Sequence, residues 1–204
     1  MTDITELNLR AFSTLSDGIR RKGEENFVPV MKVDSASLLR QIVALKNPKK
    51  ILEIGTATGF SGMVMLEVAK DAHLYTIEHN ESRVKEAREN FKKAGLYDRA
   101  TFFVGNVHEL IEFVSGEFDF LFFDGPKSHY LDFLLKLRPF LKSGAVLVCD
   151  NVLFRGIVEE KCDVERRMRT IAGNMREFLD YITGDEWISA VYDIGDGVSV
   201  SILK

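Results

Sequence analysis

The fold is decided by one stretch of the chain, Ile51-Leu52-Glu53-Ile54-Gly55-Thr56-Ala57-Thr58-Gly59-Phe60-Ser61-Gly62. Its apolar start is typical of a buried strand, and the small residues from Gly55 to Gly59 let a backbone turn approach a ligand closely. A helix that begins after Gly59 would present free N–H groups and the positive end of its dipole to an anionic group. The stretch therefore predicts a strand, a glycine turn and a helix that together bind a nucleotide-like cofactor.

The chain after this stretch alternates between strand-like and helix-like segments. Apolar runs typical of strands lie at 51–54, 74–77, 101–104, 118–123 and 145–149, and helical patterns separate them. Right-handed crossovers of this kind produce a parallel sheet with helices on both faces. Residues 187–203 predict an antiparallel hairpin that turns at Gly195-Asp196-Gly197. We therefore predict an α/β fold with a doubly wound, seven-stranded, mostly parallel sheet and an antiparallel C-terminal hairpin.

Helical patterns also precede the first strand. The apolar residues of Thr2–Ile19 recur at helical spacing, and the basic run Arg20-Arg21-Lys22-Gly23 is typical of a helix end. Pro29 then favours an extended loop, and a second helix is predicted over Asp34–Leu45. Two helices joined by a loop should therefore lie ahead of the sheet.

Length and composition limit the possible classes of protein. The chain has 204 residues, a net charge of −4 and two cysteines, and no apolar run approaches the roughly 20 residues of a membrane span. We expect one domain over residues 1–204, in which 1–46 form the N-terminal helices and loop and 50–204 form the α/β core. We also expect a protein of the reducing cytoplasm without membrane contact. A nucleic-acid partner would need a local basic patch.

The candidate cofactor site lies where the strands end, because ligands of open parallel sheets bind beyond the carboxyl ends of the strands. Glu78 ends the second strand, about 20 residues after the glycine turn, where an acid suits the hydroxyls of a ribose. Asn106 follows the third strand and could meet an adenine amine. A nicotinamide enzyme would require Gly-x-Gly-x-x-Gly, and here Ala57 replaces the middle glycine.

Polar side chains at the ends of the fourth and fifth strands form the candidate chemical site. Asp124 ends the fourth strand, and Asp150-Asn151 ends the fifth. Two carboxylates and one amide oxygen at neighbouring strand ends suit Mg²⁺ or a similar hard cation, whereas the scattered histidines make a zinc site unlikely. Lys127 could reach the same point, and a nearby divalent cation would lower its pKa. Lys127 is therefore a candidate general base.

Together these motifs resemble the metal-dependent, S-adenosylmethionine-dependent O-methyltransferases that include the catechol and caffeoyl-coenzyme A enzymes. The resemblance covers nearly the whole chain from Phe27 onward and implies a Rossmann-like methyltransferase fold, bound Mg²⁺ and a homodimer. It implies Asp124, Asp150 and Asn151 as metal ligands, and Lys127 and Asp124 as catalytic residues. The cofactor contacts that it implies, with the loop before the sheet covering the cofactor, are Met31, Val33, Glu53, Gly55, Thr56, Ser61, Glu78, Asn106, Val107 and Asp124. The sequence departs from the family pattern at Asn106, where aspartate is frequent, and at Gly125-Pro126, where alanine is usual.

Within this family, the closest resemblance is to the bacterial tRNA 5-hydroxyuridine methyltransferases. It is carried by Phe27–Met31, Asp150–Gly156 and Gly195–Gly197. A 5-hydroxyuridine has its 5-oxygen beside the 4-carbonyl oxygen, so it could chelate a metal as a catechol does. The arginines that could hold tRNA phosphates are Arg155, Arg166 and Arg169, with Arg176 on the same helix face. A solvated helix face would show the same pattern.

The predicted function is therefore divalent-metal-dependent methyl transfer from S-adenosylmethionine to a hydroxyl adjacent to a second oxygen, with the 5-hydroxyuridine of tRNA as acceptor. A small catechol-like or caffeoyl-type acceptor is the alternative within the same chemistry. A non-catalytic cofactor-binding or nucleic-acid-binding module is the alternative of another class, since a fold does not fix a function. The complete set of Asp124, Lys127, Asp150 and Asn151 argues against that last alternative.

Overall fold

The computed structural model describes residues 3–114, 116–154, 156–158 and 166–204. Its strands are β1 Lys50–Ile54, β2 His73–Glu78, β3 Ala100–Val104, β4 Phe118–Phe123, β5 Leu141–Asp150, β6 Trp187–Tyr192 and β7 Val198–Leu203. They form a seven-stranded sheet in the order β3-β2-β1-β4-β5-β7-β6, in which β7 pairs antiparallel with both β5 and β6. The predicted fold class is confirmed.

The order of the strands reverses at β1, which lies between β2 and β4. Ile54 pairs with Ile77 of β2 on one side and with Phe123 of β4 on the other, and all three strands run parallel. Cys149 of β5 pairs with Phe123 in turn. The carboxyl ends of β2, β1, β4 and β5 are therefore neighbours at one edge of the sheet, where α/β folds of this type bind their ligands.

Helices cover both faces of the sheet. They are α1 Ile4–Leu9, α2 Thr14–Glu25, α3 Val33–Lys46, α4 Phe60–Val68, α5 Glu81–Lys93, α6 Val107–Leu110, α7 Tyr130–Leu137 and α8 Arg166–Ile182. Residues of β1 alternate between two hydrophobic clusters, because successive side chains of a strand point to opposite faces. Leu52 and Ile54 pack with α7 and α8, whereas Ile51 packs with α3 and α4.

The N-terminal region differs from the prediction. The single helix predicted over Thr2–Ile19 is two helices, because the side chain of Ser13 accepts a hydrogen bond from the Ser16 amide and starts α2 as its N-cap. The basic run that was predicted to end the helix lies inside α2. There Arg20 forms ion pairs with Asp17 and Glu24, each at 2.7 Å, one helical turn away on either side. Three helices, not two, therefore precede β1.

Two further boundaries are corrected. The helix predicted near Val107–Val114 is the short α6 followed by a 3₁₀ turn over Ile111–Phe113. The predicted fifth strand begins four residues earlier, at Leu141, where it already pairs with Phe118 of β4. Among the described residues, no helix combines the length and the apolar character that a transmembrane segment requires.

Candidate active site

The glycine turn after β1 brings the ends of two strands into direct contact. Gly55 has φ +104°, and a Cβ placed on it would lie 2.5 Å from the backbone oxygen of Asp124. No side chain fits at that distance, so glycine is required both for the backbone conformation and for the close approach. The Gly55 amide donates to Ile77 O and the Asp124 amide donates to Ile54 O, both at 2.9 Å. The turn is thereby fixed to β2 and β4.

Glu53 lies behind this turn and is fully buried. The Ser61 hydroxyl donates to one of its carboxylate oxygens at 2.5 Å, and the Thr76 hydroxyl donates to the other at 2.6 Å. Burial raises the pKa of Glu53 to about 7, although these two hydrogen bonds oppose the rise. The structure thus places Glu53 beneath the glycine turn, where it joins β1 to β2 and α4 and does not line the cavity in front of the turn.

A cavity of about 380 Å³ opens in front of the glycine turn. The predicted site residues that line it are Gly55, Glu78, Val107, Asp124, Lys127 and Asn151. A smaller pocket shares Gly55 and Asp124 with this cavity and is lined by the predicted residues Met31, Thr56 and Ser61. The structure therefore brings most of the predicted cofactor and chemical residues together around one connected space.

Three predicted cofactor residues line neither space, and Glu53 is one of them. Val33 is buried in the first turn of α3. The side chain of Asn106 accepts a hydrogen bond from the His108 amide at 3.0 Å, which makes Asn106 the N-cap of α6. Asn106 therefore serves the helix, and the neighbouring Val107 is the residue of this segment that reaches the cavity.

Glu78 is positioned for a ligand by its own backbone surroundings. Its carboxylate accepts hydrogen bonds from the amides of Ala57 at 3.1 Å and Asn80 at 2.9 Å, and His79 Nδ1 lies 2.9 Å away. A carboxylate has about four acceptor positions. Three of them are occupied here, so Glu78, which lines the cavity, keeps about one acceptor position.

Asp124 and Lys127 line the chemical end of the cavity, whereas Asp150 is buried and lines neither space. Burial raises the pKa of both Asp124 and Asp150, and the charge of Asp150 raises that of Asp124 further, whereas the Lys127 ammonium lowers both. The backbone amide of Asn151 donates a hydrogen bond to the Asp150 carboxylate at 2.9 Å. In the part of the chain that the structure describes, no three His, Cys, Asp or Glu side chains come together as a metal centre. The predicted set of metal ligands has two carboxylates, those of Asp124 and Asp150, and its third member is the side-chain amide of Asn151.

Tyr130 ties the two strand ends together below this site. Its hydroxyl lies within hydrogen-bonding distance of Phe123 O at 3.2 Å and of Asp150 O at 3.3 Å, and its ring is buried. Asp124 and Asp150, which end these neighbouring strands, are thereby kept at a fixed separation.

The comparisons with known proteins agree with this arrangement. A family model described as O-methyltransferase matches residues 12–203. This chain belongs to the O-methyltransferase family. Tapetum-specific methyltransferase 1 of Arabidopsis thaliana is 30% identical over 175 residues, which cover 82% of this chain and 75% of that protein. Caffeoyl-CoA O-methyltransferase of Populus kitakamiensis is 27% identical over 177 residues, with the same two coverages.

The fold has a close structural relative in the same family. A crystal structure from Staphylococcus aureus, provisionally named a caffeoyl-CoA O-methyltransferase, is 28% identical, with a TM-score of 0.89 over 98% of this chain and 96% of that one. The prediction of an S-adenosylmethionine-dependent O-methyltransferase of the caffeoyl-CoA type is confirmed by this membership.

The O-methyltransferase site also contains residues that were not predicted from the sequence. They are Pro29, Ile54, Ala57, Ile77, His79, Arg83, Gly125 and Pro126. His79 and Arg83 carry a usable signal, because His79 directly follows the strand-end acid Glu78 and Arg83 lies in the first turn of α5. Pro29 lies in the loop that was predicted to cover the cofactor, and it does reach the cavity.

The predicted phosphate-binding arginines of this O-methyltransferase do not act alike. Arg155 lies outside the described residues, and Arg166 and Arg169 are exposed at the start of α8. Arg176 is half-buried and donates to Val158 O at 2.8 Å and to Ile157 O at 3.2 Å. The prediction that Arg176 belongs to a free basic face is therefore wrong, because its guanidinium holds the segment after β5 against α8.

Proposed function

We propose that this O-methyltransferase moves the methyl group of S-adenosylmethionine to a hydroxyl that has a second oxygen beside it, and that a divalent cation held by Asp124, Asp150 and Asn151 is required. The observation that carries this proposal is the pair of carboxylates at neighbouring strand ends, close enough for the charge of Asp150 to raise the pKa of Asp124. Lys127 lies beside both and lines the same cavity.

The cavity suits S-adenosylmethionine in its shape and in its polar groups. The Gly55 backbone forms the floor where a side chain would collide, and the N-terminus of α4 stands behind the turn. Glu78 lines the cavity and would accept hydrogen bonds from the ribose hydroxyls, and Met31 and Ser61 line the smaller pocket beside Gly55. When bound, S-adenosylmethionine would supply a methyl group on a positively charged sulfur.

The chemical end suits a hard divalent cation. Its donors are two carboxylates and one amide, which are the oxygen ligands that Mg²⁺ and related cations prefer. Two buried carboxylates beside each other also repel, and a cation between them would offset that repulsion. When bound, the cation would be chelated by the two acceptor oxygens and would stabilise the oxyanion that forms as the proton leaves.

The residues of the chain then have separate tasks. As the neutral amine, Lys127 Nζ would take the proton of the acceptor hydroxyl, and the freed oxygen would then receive the methyl group that bound S-adenosylmethionine supplies. One carbon–oxygen bond forms as one carbon–sulfur bond breaks, and the sulfur leaves neutral. Pro29 and Val107 line the cavity and help to exclude water from this exchange.

Two kinds of acceptor fit this chemistry, and we propose 5-hydroxyuridine in tRNA ahead of a small catechol-like or caffeoyl-type molecule. Arg166 and Arg169 support the tRNA proposal, since both are exposed at the start of α8. The two relatives named for caffeoyl-CoA O-methyltransferase support the small acceptor. Both acceptors present two adjacent oxygens, so the metal site does not distinguish them.

We also propose a homodimer in a reducing cytoplasm. Ile188 and Ile202 are paired across β6 and β7 on one face of the sheet, and they are 60% and 39% exposed. Exposed apolar side chains grouped in this way are typical of a protein interface. The free thiol of Cys149 is buried inside β5, which suits a compartment where disulfides do not form.

The test of the proposed function combines chelation with one substitution. Methyl transfer to a simple catechol should disappear in excess chelator and return with Mg²⁺. Asp150→Ala should lower turnover at least about 100-fold, because too few oxygens remain to offset dehydration of the ion. S-adenosylmethionine affinity should stay within about threefold by calorimetry, since Gly55 and Glu78 are untouched. The control is Asp98→Ala, at an exposed aspartate in the turn before the edge strand β3. Full activity in excess chelator would contradict the proposal.

A further inference from the structure

The turn that joins β6 to β7 lies between the two segments that build the site. It comprises residues 193–197 and is closed by the Gly197 amide, which donates to Ile194 O at 2.9 Å. The loop after β5 packs against one side of it, and the segment before α3 packs against the other.

On the first side, the turn holds the backbone that follows Asn151. The Val152 amide donates to Gly197 O at 2.9 Å, and the Leu153 amide donates to Asp196 O at 3.0 Å. The residue before Asn151 is also fixed, because Asp150 pairs with Val198 in the antiparallel ladder. Asn151 itself has φ +59°, a left-handed conformation that asparagine tolerates better than most residues. Its backbone, and hence the direction of its side chain, is therefore held from both sides.

On the second side, the turn touches the segment that borders the cofactor pocket. Lys32 Nζ donates to Gly195 O at 3.2 Å, and Ser35 Oγ is the atom nearest to where a Cβ on Gly195 would lie. Lys32 is the N-cap of α3 and directly follows Met31, which lines the smaller pocket. One turn of five residues thus contacts both the cofactor-covering segment and the loop that carries the third proposed metal ligand.

Gly197 has no room for a side chain. A Cβ on this residue would lie 2.8 Å from both the backbone nitrogen and the Cβ of Leu153, and Leu153 Cγ would be nearer still. Gly197 also has φ +87°, where an L side chain is strained. Any larger residue would therefore push Leu153 away, together with the hydrogen bonds that end the Asn151 loop.

We propose that the β6–β7 turn positions the metal-binding loop, and that Gly197 is the positioning residue that sets the direction of the Asn151 side chain. The inference rests on the proposed function, because it assigns the turn to the divalent-cation site proposed there. Partners that orient metal ligands commonly change metal affinity by about 10-fold to 100-fold when they are altered. Gly197→Ala should therefore weaken cation binding while S-adenosylmethionine binding is kept.

The experiment measures Mn²⁺ affinity by calorimetry, with the melting temperature recorded for every variant. Gly197→Ala should bind Mn²⁺ at least about tenfold more weakly than the wild type. S-adenosylmethionine affinity should remain within about threefold, and kcat for a catechol should fall. Gly144→Ala is the matched control, because Gly144 also has positive φ, at +78°, but has open space around it at the distant end of β5. It should bind Mn²⁺ as the wild type does, even where both substitutions lower the melting temperature.

A second pair of variants covers failure of Gly197→Ala to fold. Leu153→Ala removes the Cγ that the new methyl group would meet and leaves both backbone hydrogen bonds available. Gly197→Ala in that background should still bind Mn²⁺ more weakly than Leu153→Ala alone, since the contacts with the Leu153 nitrogen and Cβ persist. The inference, but not the proposed function, would be overturned if Gly197→Ala left the Mn²⁺ affinity unchanged in both the wild-type and the Leu153→Ala background. An equal loss of Mn²⁺ affinity in Gly144→Ala would have the same consequence. Absence of Mn²⁺ binding by the wild type would instead overturn the proposed function, and the inference with it.

Discussion

The buried carboxyl group of Glu53 makes the stability of this O-methyltransferase depend on pH in a predictable direction. Its pKa rises from an ordinary value of 4.5 to about 7 in the folded chain, chiefly because it is buried. Each unit of difference between the folded and unfolded pKa corresponds to about 1.4 kcal/mol, so the contribution of Glu53 to the free energy of unfolding is about 3 kcal/mol. The folded state holds the proton more tightly than the unfolded state. This stabilisation is therefore complete below about pH 4.5 and is lost as the pH rises through about 7.

Glu53→Gln removes the ionisation and keeps the size and most of the hydrogen-bonding shape of the side chain. We expect the free energy of unfolding of the wild type to fall by about 3 kcal/mol more than that of Glu53→Gln between pH 4.5 and 8.5. Asp124 and Asp150 also have raised pKa values, but they are present in both proteins and largely cancel in the difference. Urea unfolding at several pH values, with chelator present and cofactor absent, measures both curves.

The control for this experiment is Glu25→Gln, at an exposed glutamate of α2. Its unfolding free energy should follow the wild-type pH dependence. A Glu53→Gln protein whose pH dependence equals that of the wild type within about 1 kcal/mol would refute the reasoning, because Glu53 would then not hold the additional proton. A loss of stability that is the same at every pH would not refute it, since the side-chain amide of Glu53→Gln must rearrange the hydrogen bonds with Ser61 and Thr76.

Two further predictions concern partners. If Arg166 and Arg169 bind tRNA phosphates, replacing both with glutamine should reduce the slope of log binding constant against log salt concentration by about one unit per lost contact. Turnover of a free catechol should stay unchanged. Equal losses of activity on tRNA and on catechol would assign these arginines to folding. If the exposed face of β6 and β7 is a homodimer interface, Ile188→Asp should give a monomer in sedimentation equilibrium, since a charge would be buried there, whereas an unaltered mass would exclude this face.

The sequence was sufficient to predict the order of the elements from β1 onward and the strand ends at which Glu78, Asp124 and Asn151 lie. Strands and helices alternate with clear periods, and a parallel sheet brings the carboxyl ends of its strands to one edge. The sequence therefore places Glu78, Asp124 and Asn151 at one edge of the sheet, and all three line one cavity there. The N-terminal helices were less predictable, because Ser13 starts a new helix by a single side-chain hydrogen bond inside a continuous apolar pattern.

The environment of individual polar side chains could not be predicted from the sequence in the same way. Glu53 has the same parity along β1 as Ile51, so its face was predictable, but its partners Ser61 and Thr76 come from α4 and β2. Arg176 has the helical spacing of a solvated residue, yet the segment at Ile157 and Val158 folds over it. In both cases the deciding contacts depend on how separate elements pack, which a periodic pattern does not record.

The order of the strands also assigns the two binding events to different parts of the sheet. Glu78 ends β2 and Asp124 directly follows β4, with β1 between them, so the two strand ends lie about 10 Å apart across the sheet. Substitutions at either end should therefore affect one event, either cofactor binding or metal binding. Gly55 is the exception, because its backbone contacts Asp124 while its amide is bound to β2.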